Sequence, residues 1–115
     1  YQIVGDFLLH RPRDIIYRYA NAKNVWERRI AIVATFAFIK QGDCADTFAL
    51  AKKLLHDEHD LIHKAVGWML REAGKRDKQS LILFLNAHVK QMPRTMLRYA
   101  IEHFPKAERV NYMKK

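Results

Sequence analysis

The apolar positions of this chain recur at helical spacing along almost its whole length, and the few glycines and prolines fall between the periodic segments. No stretch alternates with a period of two, so the pattern predicts an all-α fold. It predicts a short helix over residues 2–9 and a second helix that Pro12 opens. A longer helix, from Val25 to Lys40 and ended by Gly42, is apolar around most of its girth, which predicts burial on several sides.

The second half of the chain continues the helical pattern. Asp43 or Asp46 is positioned to cap the next helix. The apolar face of that helix is expected to contain Thr47, Leu50, Ala51, Leu54 and Leu55. An amphipathic helix is predicted over residues 58–75. Its apolar stripe consists of Ile62, Ala65, Val66, Met69 and Ala73. Further helices are predicted over 78–90, from Pro93 through Leu97, Ala100, Ile101 and Phe104, and over 106–114.

These helices also indicate an internal repeat. Short segments that begin at Arg29, Lys64 and Arg98 align at spacings of 35 and 34 residues, and solenoids of helical hairpins repeat on the order of 34–47 residues. We therefore expect stacked helix pairs in which each first helix places one cation at the same level. Such a row of positive charge would suit the backbone of a duplex, whereas cations on different sides would contradict the repeat.

Composition adds a class of partner to this picture. The 115 residues are enough for one domain, and their formal net charge is +9 with a pI near 9.9. Because half of the residues are hydrophobic, a disordered basic tail is excluded. A folded domain with this excess of cations predicts an anionic partner, above all nucleic acid. The single cysteine, Cys44, excludes an internal disulfide framework.

The longest apolar run, over residues 30–39, is about half of what a membrane span needs, and no signal peptide is recognisable. We therefore expect a cytoplasmic protein that has no membrane partner. The chain begins at Tyr1 and enters an apolar pattern at once, so we interpret residues 1–115 as the remainder of a longer protein.

One helix face in the 58–75 segment carries the most informative local pattern. Lys64, Trp68, Arg71 and Lys75 lie within about 60° of one another, opposite the apolar stripe. The indole could pack against a neighbouring repeat beside solvated cations. Alternatively, this face is a basic groove in which cations bind phosphate and the ring stacks or contacts a cationic base. Composition favours the groove.

A second aromatic and basic group, Trp26 with Arg28 and Arg29, begins the long apolar helix. Trp26 and Arg29 share a helix face. In the alternative interpretation Trp26 anchors the entrance to the helix, and the arginines pair with Glu27 or with solvent.

A histidine-rich stretch, residues 56–60 followed by His63, raises the possibility of a metal site because His59 and His63 are one helical turn apart. No zinc motif accompanies them, and Asp57 or Asp60 serves equally as a cap for the following helix. We therefore expect neither a metal nor another cofactor.

Three segments, over residues 24–32, 63–72 and 92–102, resemble the AlkD-like DNA alkylation repair enzymes. The first contains Trp-Glu-Arg-Arg-Ile-Ala-Ile and the second Lys-Ala-Val-Gly-Trp-Met-Leu-Arg-Glu, and the similarity extends over essentially the whole chain. This resemblance implies a superhelix of HEAT-like repeats whose concave basic face holds double-stranded DNA. On this basis, residues 1–115 are expected to be the C-terminal part of a single glycosylase domain whose N-terminal repeats are missing.

The resemblance also implies an activity: hydrolysis of the N-glycosidic bond of cationic N3- and N7-alkylated purines by a monomer, without base flipping and without an obligate protein partner. Such a protein would associate with the nucleoid through DNA. Arg29 and Trp68 correspond to the family's active-site arginine and to one of its tryptophans, whereas Trp26 is expected to be structural. The residues expected to bind DNA are Arg28, Lys64, Arg71, Lys75, Arg94 and Arg98.

The chain departs from the family pattern at one point. The family's other tryptophan and its catalytic aspartate lie just before the stretch that resembles residues 1–5, and no carboxylate of this chain sits in a matching motif; those considered are Asp6, Asp14 and Glu27. We therefore expect residues 1–115 alone to be inactive. Two other classes stay open: a non-catalytic helical-repeat module that binds nucleic acid, and a scaffold for protein interaction.

Overall fold

A computed structural model of the protein describes residues 14–114, and within this range it contains helices and no strands. The helices are α1 (Asp14–Ala20), α2 (Val25–Lys40), α3 (Ala45–Lys53), α4 (Asp60–Arg76), α5 (Lys78–His88), α6 (Arg94–Ala100) and α7 (Lys106–Met113), with a 3₁₀ turn over Val89–Gln91. The all-α prediction is confirmed for this part of the chain. The helix predicted over residues 2–9 lies outside the described residues.

The start and end of α2 agree with the prediction. Asn24 caps the helix, since its Oδ1 accepts a hydrogen bond of 2.8 Å from the backbone N–H of Trp26. Gly42, in the turn after α2, has φ +86°, a conformation that favours glycine. Half of α2, eight residues on several sides of the helix, is buried, as predicted from the apolar residues on most of its faces.

Two predictions about helix ends are wrong. The cap of α4 is His59, whose Nδ1 accepts from the backbone N–H of Leu61 at 3.3 Å; Asp57 instead binds the N–H of His59 and thereby orders the chain before the cap. The helix after Pro93 ends at Ala100 and not at Phe104. Residues 101–104 form a turn that still buries Ile101 and Phe104.

The helices are layered around α4. This helix packs on α2 along one side and on α6 along the other, so the three helices that carry Arg29, Lys64 and Arg98 are successive neighbours. Helices α3 and α5 pack on the same core. Every residue of the two apolar faces predicted for α3 and α4 is buried. No helix in the described part of the chain combines the length and the hydropathy that a membrane crossing requires.

Candidate nucleic-acid interface

The close approach of α4 and α6 shapes the candidate site. Gly67 lies in this contact: a Cβ atom added there would lie 2.6 Å from the Cβ of Tyr99 and 2.7 Å from the carbonyl oxygen of Met96. Only a residue without a side chain permits this separation. The contact therefore places Tyr99 beside the next residue of α4, Trp68.

A groove of about 280 Å³ opens along this contact. We call it the tryptophan groove; it is lined by Arg29, Leu61, Lys64, Ala65, Trp68, Arg71 and Tyr99. Three helices contribute to it, α2, α4 and α6. It combines two aromatic rings with three cationic side chains, and this combination can bind a phosphate and stack on a base or sugar.

Trp68 packs against a neighbouring helix, as the first alternative requires, and also lines a basic groove, the setting that the second alternative assumes. Its ring packs against the core, with its centroid 6.2 Å from that of Phe36 on α2. The same side chain is half-buried and lines the tryptophan groove. The core contact holds the indole in place, so that its remaining surface faces the groove as a rigid platform.

A second groove, of about 450 Å³, continues from the first and shares Arg71 and Tyr99 with it. We call it the arginine groove; it is lined by Arg71, Arg98, Tyr99 and Glu102. Glu102 accepts a hydrogen bond from Nη1 of Arg71 and so connects the turn after α6 to α4.

The two grooves together form a surface that holds five of the eight residues expected to act on DNA: Arg29, Lys64, Trp68, Arg71 and Arg98. The three cations of the predicted repeat, Arg29, Lys64 and Arg98, all line these grooves and do not lie on different sides. Tyr99 and Glu102 are residues that the sequence reasoning missed. The sequence around Tyr99 does not indicate a functional role, because the proximity of Tyr99 to Trp68 depends on the α4–α6 contact.

Lys75 lies next to this surface, and Arg94 lines neither groove. Lys75 lines a small pocket adjoining Arg71 and forms an ion pair of 3.2 Å with Glu72. Arg94 donates a hydrogen bond to the carbonyl oxygen of Met113 and thereby ties α6 to the end of α7.

Arg28 lies in a different place from the other cations. Its Nε donates to Oδ2 of Asp57 at 2.7 Å, and its Nη1 donates to the carbonyl oxygens of Ala22 and Lys23 at 3.0 and 2.8 Å. It lines neither groove but a separate pocket with Asp57, Glu58 and His59. The structure thus separates Arg28 from Arg29 although the two are adjacent in sequence.

Trp26 does not anchor the entrance to α2. Its side chain is 59 % exposed, whereas Val25 packs against the core at this point. The interpretation in which Trp26 anchors the helix entrance is therefore wrong, whereas its structural role in the family pattern stays a prediction.

The histidine-rich stretch has a structural explanation. His59 caps α4, and Nε2 of His63 lies against the carbonyl oxygen of Asp57. Among residues 14–114 no group of three or more His, Cys, Asp or Glu side chains is arranged to hold a metal ion. Cys44 is buried at the start of α3, and this burial, with the nearby charge of Asp77, raises the pKa of its thiol.

Comparison with known proteins agrees with this picture. A family model described as DNA alkylation repair enzyme matches residues 1–104, which include every residue of the two grooves. Searches of the curated proteins and of the solved structures gave no significant match. Because the family model covers most of the chain, this protein belongs to the family of DNA alkylation repair enzymes, which indicates a role in DNA repair and DNA as its partner.

Proposed function

We propose that this protein acts as a DNA N-glycosylase that hydrolyses the N-glycosidic bond of cationic N3- or N7-alkylated purines in duplex DNA. The observation that supports it best is the position of Trp68, held by Phe36 and flanked in one groove by Arg29 and Lys64. Cations beside an aromatic platform in one groove suit a nucleotide, since they bind its phosphates while the ring contacts its sugar or base.

The proposed architecture is a HEAT-like solenoid of helix pairs. It is supported by the succession of α2, α4 and α6 and by the spacings of 35 and 34 residues between their cations. In this arrangement the first helix of each pair lines the DNA-binding side, and α3 and α5 are second helices.

The proposed hydrolysis needs few contributions from these residues. An alkylated purine already carries a positive charge and departs as a neutral base when its C1′–N bond breaks. The positive charge moves to the sugar, and attack by water at C1′ completes the hydrolysis. The face of Trp68 would stabilise the charged sugar by a cation–π interaction, which disappears when the neutral product forms. Arg29 keeps its proton at neutral pH and is therefore suited to holding a phosphate, not to acting as an acid.

The family resemblance assigns a further role to an aspartate that matches no residue in this chain. The decisive experiment incubates the full-length protein with duplexes that contain 7-methylguanine or 3-methyladenine. Release of free base supports the proposal. A protein that binds these duplexes and releases no base contradicts it and favours the non-catalytic module.

Substitution of Trp68 distinguishes a glycosylase from a non-catalytic DNA-binding module. In an active protein, Trp68→Ala should lower the single-turnover excision rate roughly tenfold or more, and should lower binding much less, because the cation–π contact strengthens in the transition state. Trp26→Ala is the matched control, since Trp26 is exposed and lies outside both grooves. Trp68→Phe tests for loss of packing, because a smaller ring keeps part of the contact with Phe36. Equal losses of binding and excision would identify Trp68 as a binding residue only.

A further inference from the structure

Arg71 is the cation that lines both grooves. It lies at the α4–α6 contact, lines both grooves and also borders the small pocket beside Lys75. Its side chain is 21 % exposed, and its Nε is buried 3.5 Å from Oε2 of Glu72. A guanidinium in this position can reach a phosphate in either groove, provided that its outer nitrogens are available.

In the free protein one of those outer nitrogens, Nη1, is engaged by Glu102. The Nη1 of Arg71 donates to Oε2 of Glu102, whose side chain is 56 % exposed and lines the arginine groove. Of the described residues that line the two grooves, Glu102 alone carries a carboxylate. A phosphate that approaches Arg71 therefore meets the negative charge of Glu102, which already pairs with the guanidinium.

Glu72 has a different position and role. It belongs to the same helix as Arg71, is 15 % exposed, and also forms an ion pair with Lys75. It lines neither groove, so a ligand in the grooves does not meet its carboxylate. Glu102, by contrast, is exposed, and an exposed ion pair contributes little to stability, so a phosphate can displace it.

We propose that Glu102 sets the affinity for DNA by competing with a backbone phosphate for Arg71. In free protein Glu102 holds the guanidinium; when a duplex docks, a phosphate takes the place of the carboxylate, and Glu102 turns to solvent and takes up a counterion. The exchange weakens binding to any duplex, damaged or not, and so shortens the time spent on undamaged DNA. This inference rests on the proposed placement of DNA along the two grooves.

The test measures dissociation constants for an undamaged duplex over a range of salt concentrations. Glu102→Gln should bind about threefold more tightly than the unaltered protein, since it removes the cost of breaking one exposed pair. The plot of log affinity against log salt should steepen by up to about 0.9, because no freed carboxylate takes up a cation on binding. Thermal unfolding verifies that the variant is folded.

Glu108→Gln is the matched control. Glu108 is also exposed and pairs with a lysine, Lys78 at 3.9 Å, but it lines neither groove, and its substitution changes the net charge by the same amount. Arg71→Gln, alone and combined with Glu102→Gln, tests whether the gain depends on Arg71. The proposal requires that Glu102→Gln gains more than Glu108→Gln, and that most of this gain is lost in the double variant.

Other results overturn the proposal. Equal effects of the two glutamate substitutions, or a full gain in affinity in the absence of Arg71, would mean that Glu102 affects DNA binding only through the net charge of the protein. Weaker binding by Glu102→Gln would make Glu102 a residue that positions Arg71 for DNA. If Arg71→Gln binds DNA as the unaltered protein does, the placement of DNA along the grooves fails as well, whereas a loss in Arg71→Gln keeps that placement and isolates the failure to Glu102.

Discussion

Two basic regions of this protein use arginine in opposite ways. At the start of α2, Arg28 is 18 % exposed and donates to Asp57, itself 9 % exposed, and to two backbone carbonyls. Along the two grooves, Lys64 and Arg98 are exposed, and the one groove carboxylate among the described residues is at the solvent surface. The first region uses a cation to join α2 to the chain before α4. The second leaves cations at the surface, where we propose that DNA binds.

The difference between these regions shows what decides the role of a cation in this fold. Arg28 and Arg29 have the same side chain and adjacent positions, but successive residues of a helix point about 100° apart. One of them reaches Asp57 and the other reaches the tryptophan groove. An ion pair in which both side chains are largely buried, as in Arg28 with Asp57, strongly affects stability when one partner is lost, whereas an exposed cation affects chiefly the salt-dependent affinity for phosphate.

The largest effect is expected from Gly67→Ala, which should disturb both stability and the grooves. The added methyl group would overlap the backbone of α6 and the Cβ of Tyr99, so the helices must separate. We expect a loss of at least about 3 kcal/mol in the free energy of unfolding, measured by denaturant titration, together with weaker DNA binding.

Gly74→Ala is the control for this prediction on the same helix. There the added Cβ would meet the end of the Leu81 side chain, which can change its rotamer, and not the backbone of another helix. If both variants lost the same stability, the effect would come from α4 itself and not from its contact with α6.

Arg28→Ala should separate the two regions. It leaves Asp57 buried without its cation and two carbonyls without a donor, so we expect a loss of about 3 kcal/mol in the free energy of unfolding. At temperatures where the variant stays folded, its affinity for duplex DNA should be unchanged. A fall in affinity as large as that of a groove substitution would show that Arg28 also contacts DNA.

The reverse result is expected for Arg98→Ala and Lys64→Ala. Each side chain is exposed, so stability should change by less than about 0.5 kcal/mol. If each cation neutralises one phosphate, the slope of log affinity against log salt should fall by about 0.9 for each substitution. An unchanged slope in either variant would remove that cation from the interface.

The most local effect concerns the cap of α2, next to the carbonyls that Arg28 binds. Asn24→Ala removes the side-chain acceptor for the N–H of Trp26 and should cost about 1 kcal/mol of stability in a denaturant titration. DNA affinity should not change. A larger loss than that of Arg28→Ala would mean that the cap, and not the ion pair, is the main stabilising feature of this region.

Much of the fold follows from the sequence because helical periodicity is local. The bounds of α2, the buried faces of α3 and α4 and the position of α7 are all predicted by the spacing of apolar residues. One error occurs where side chains compete for a helix end. His59 caps α4 although aspartates flank it, because Asp57 is already engaged with Arg28 from another helix.

The candidate site likewise has one part that the sequence predicts and one part that it does not. The face that joins Lys64, Trp68 and Arg71 is determined by the 3.6-residue repeat of a single helix, so the sequence by itself determined it. The addition of Arg29, Tyr99 and Glu102 depended on how α2 and α6 pack against α4, and on the missing side chain at Gly67 that lets α6 approach. Residues distant in sequence meet only through such packing, and therefore the tertiary structure alone decided which cations face the grooves and which, like Arg28, hold the fold together.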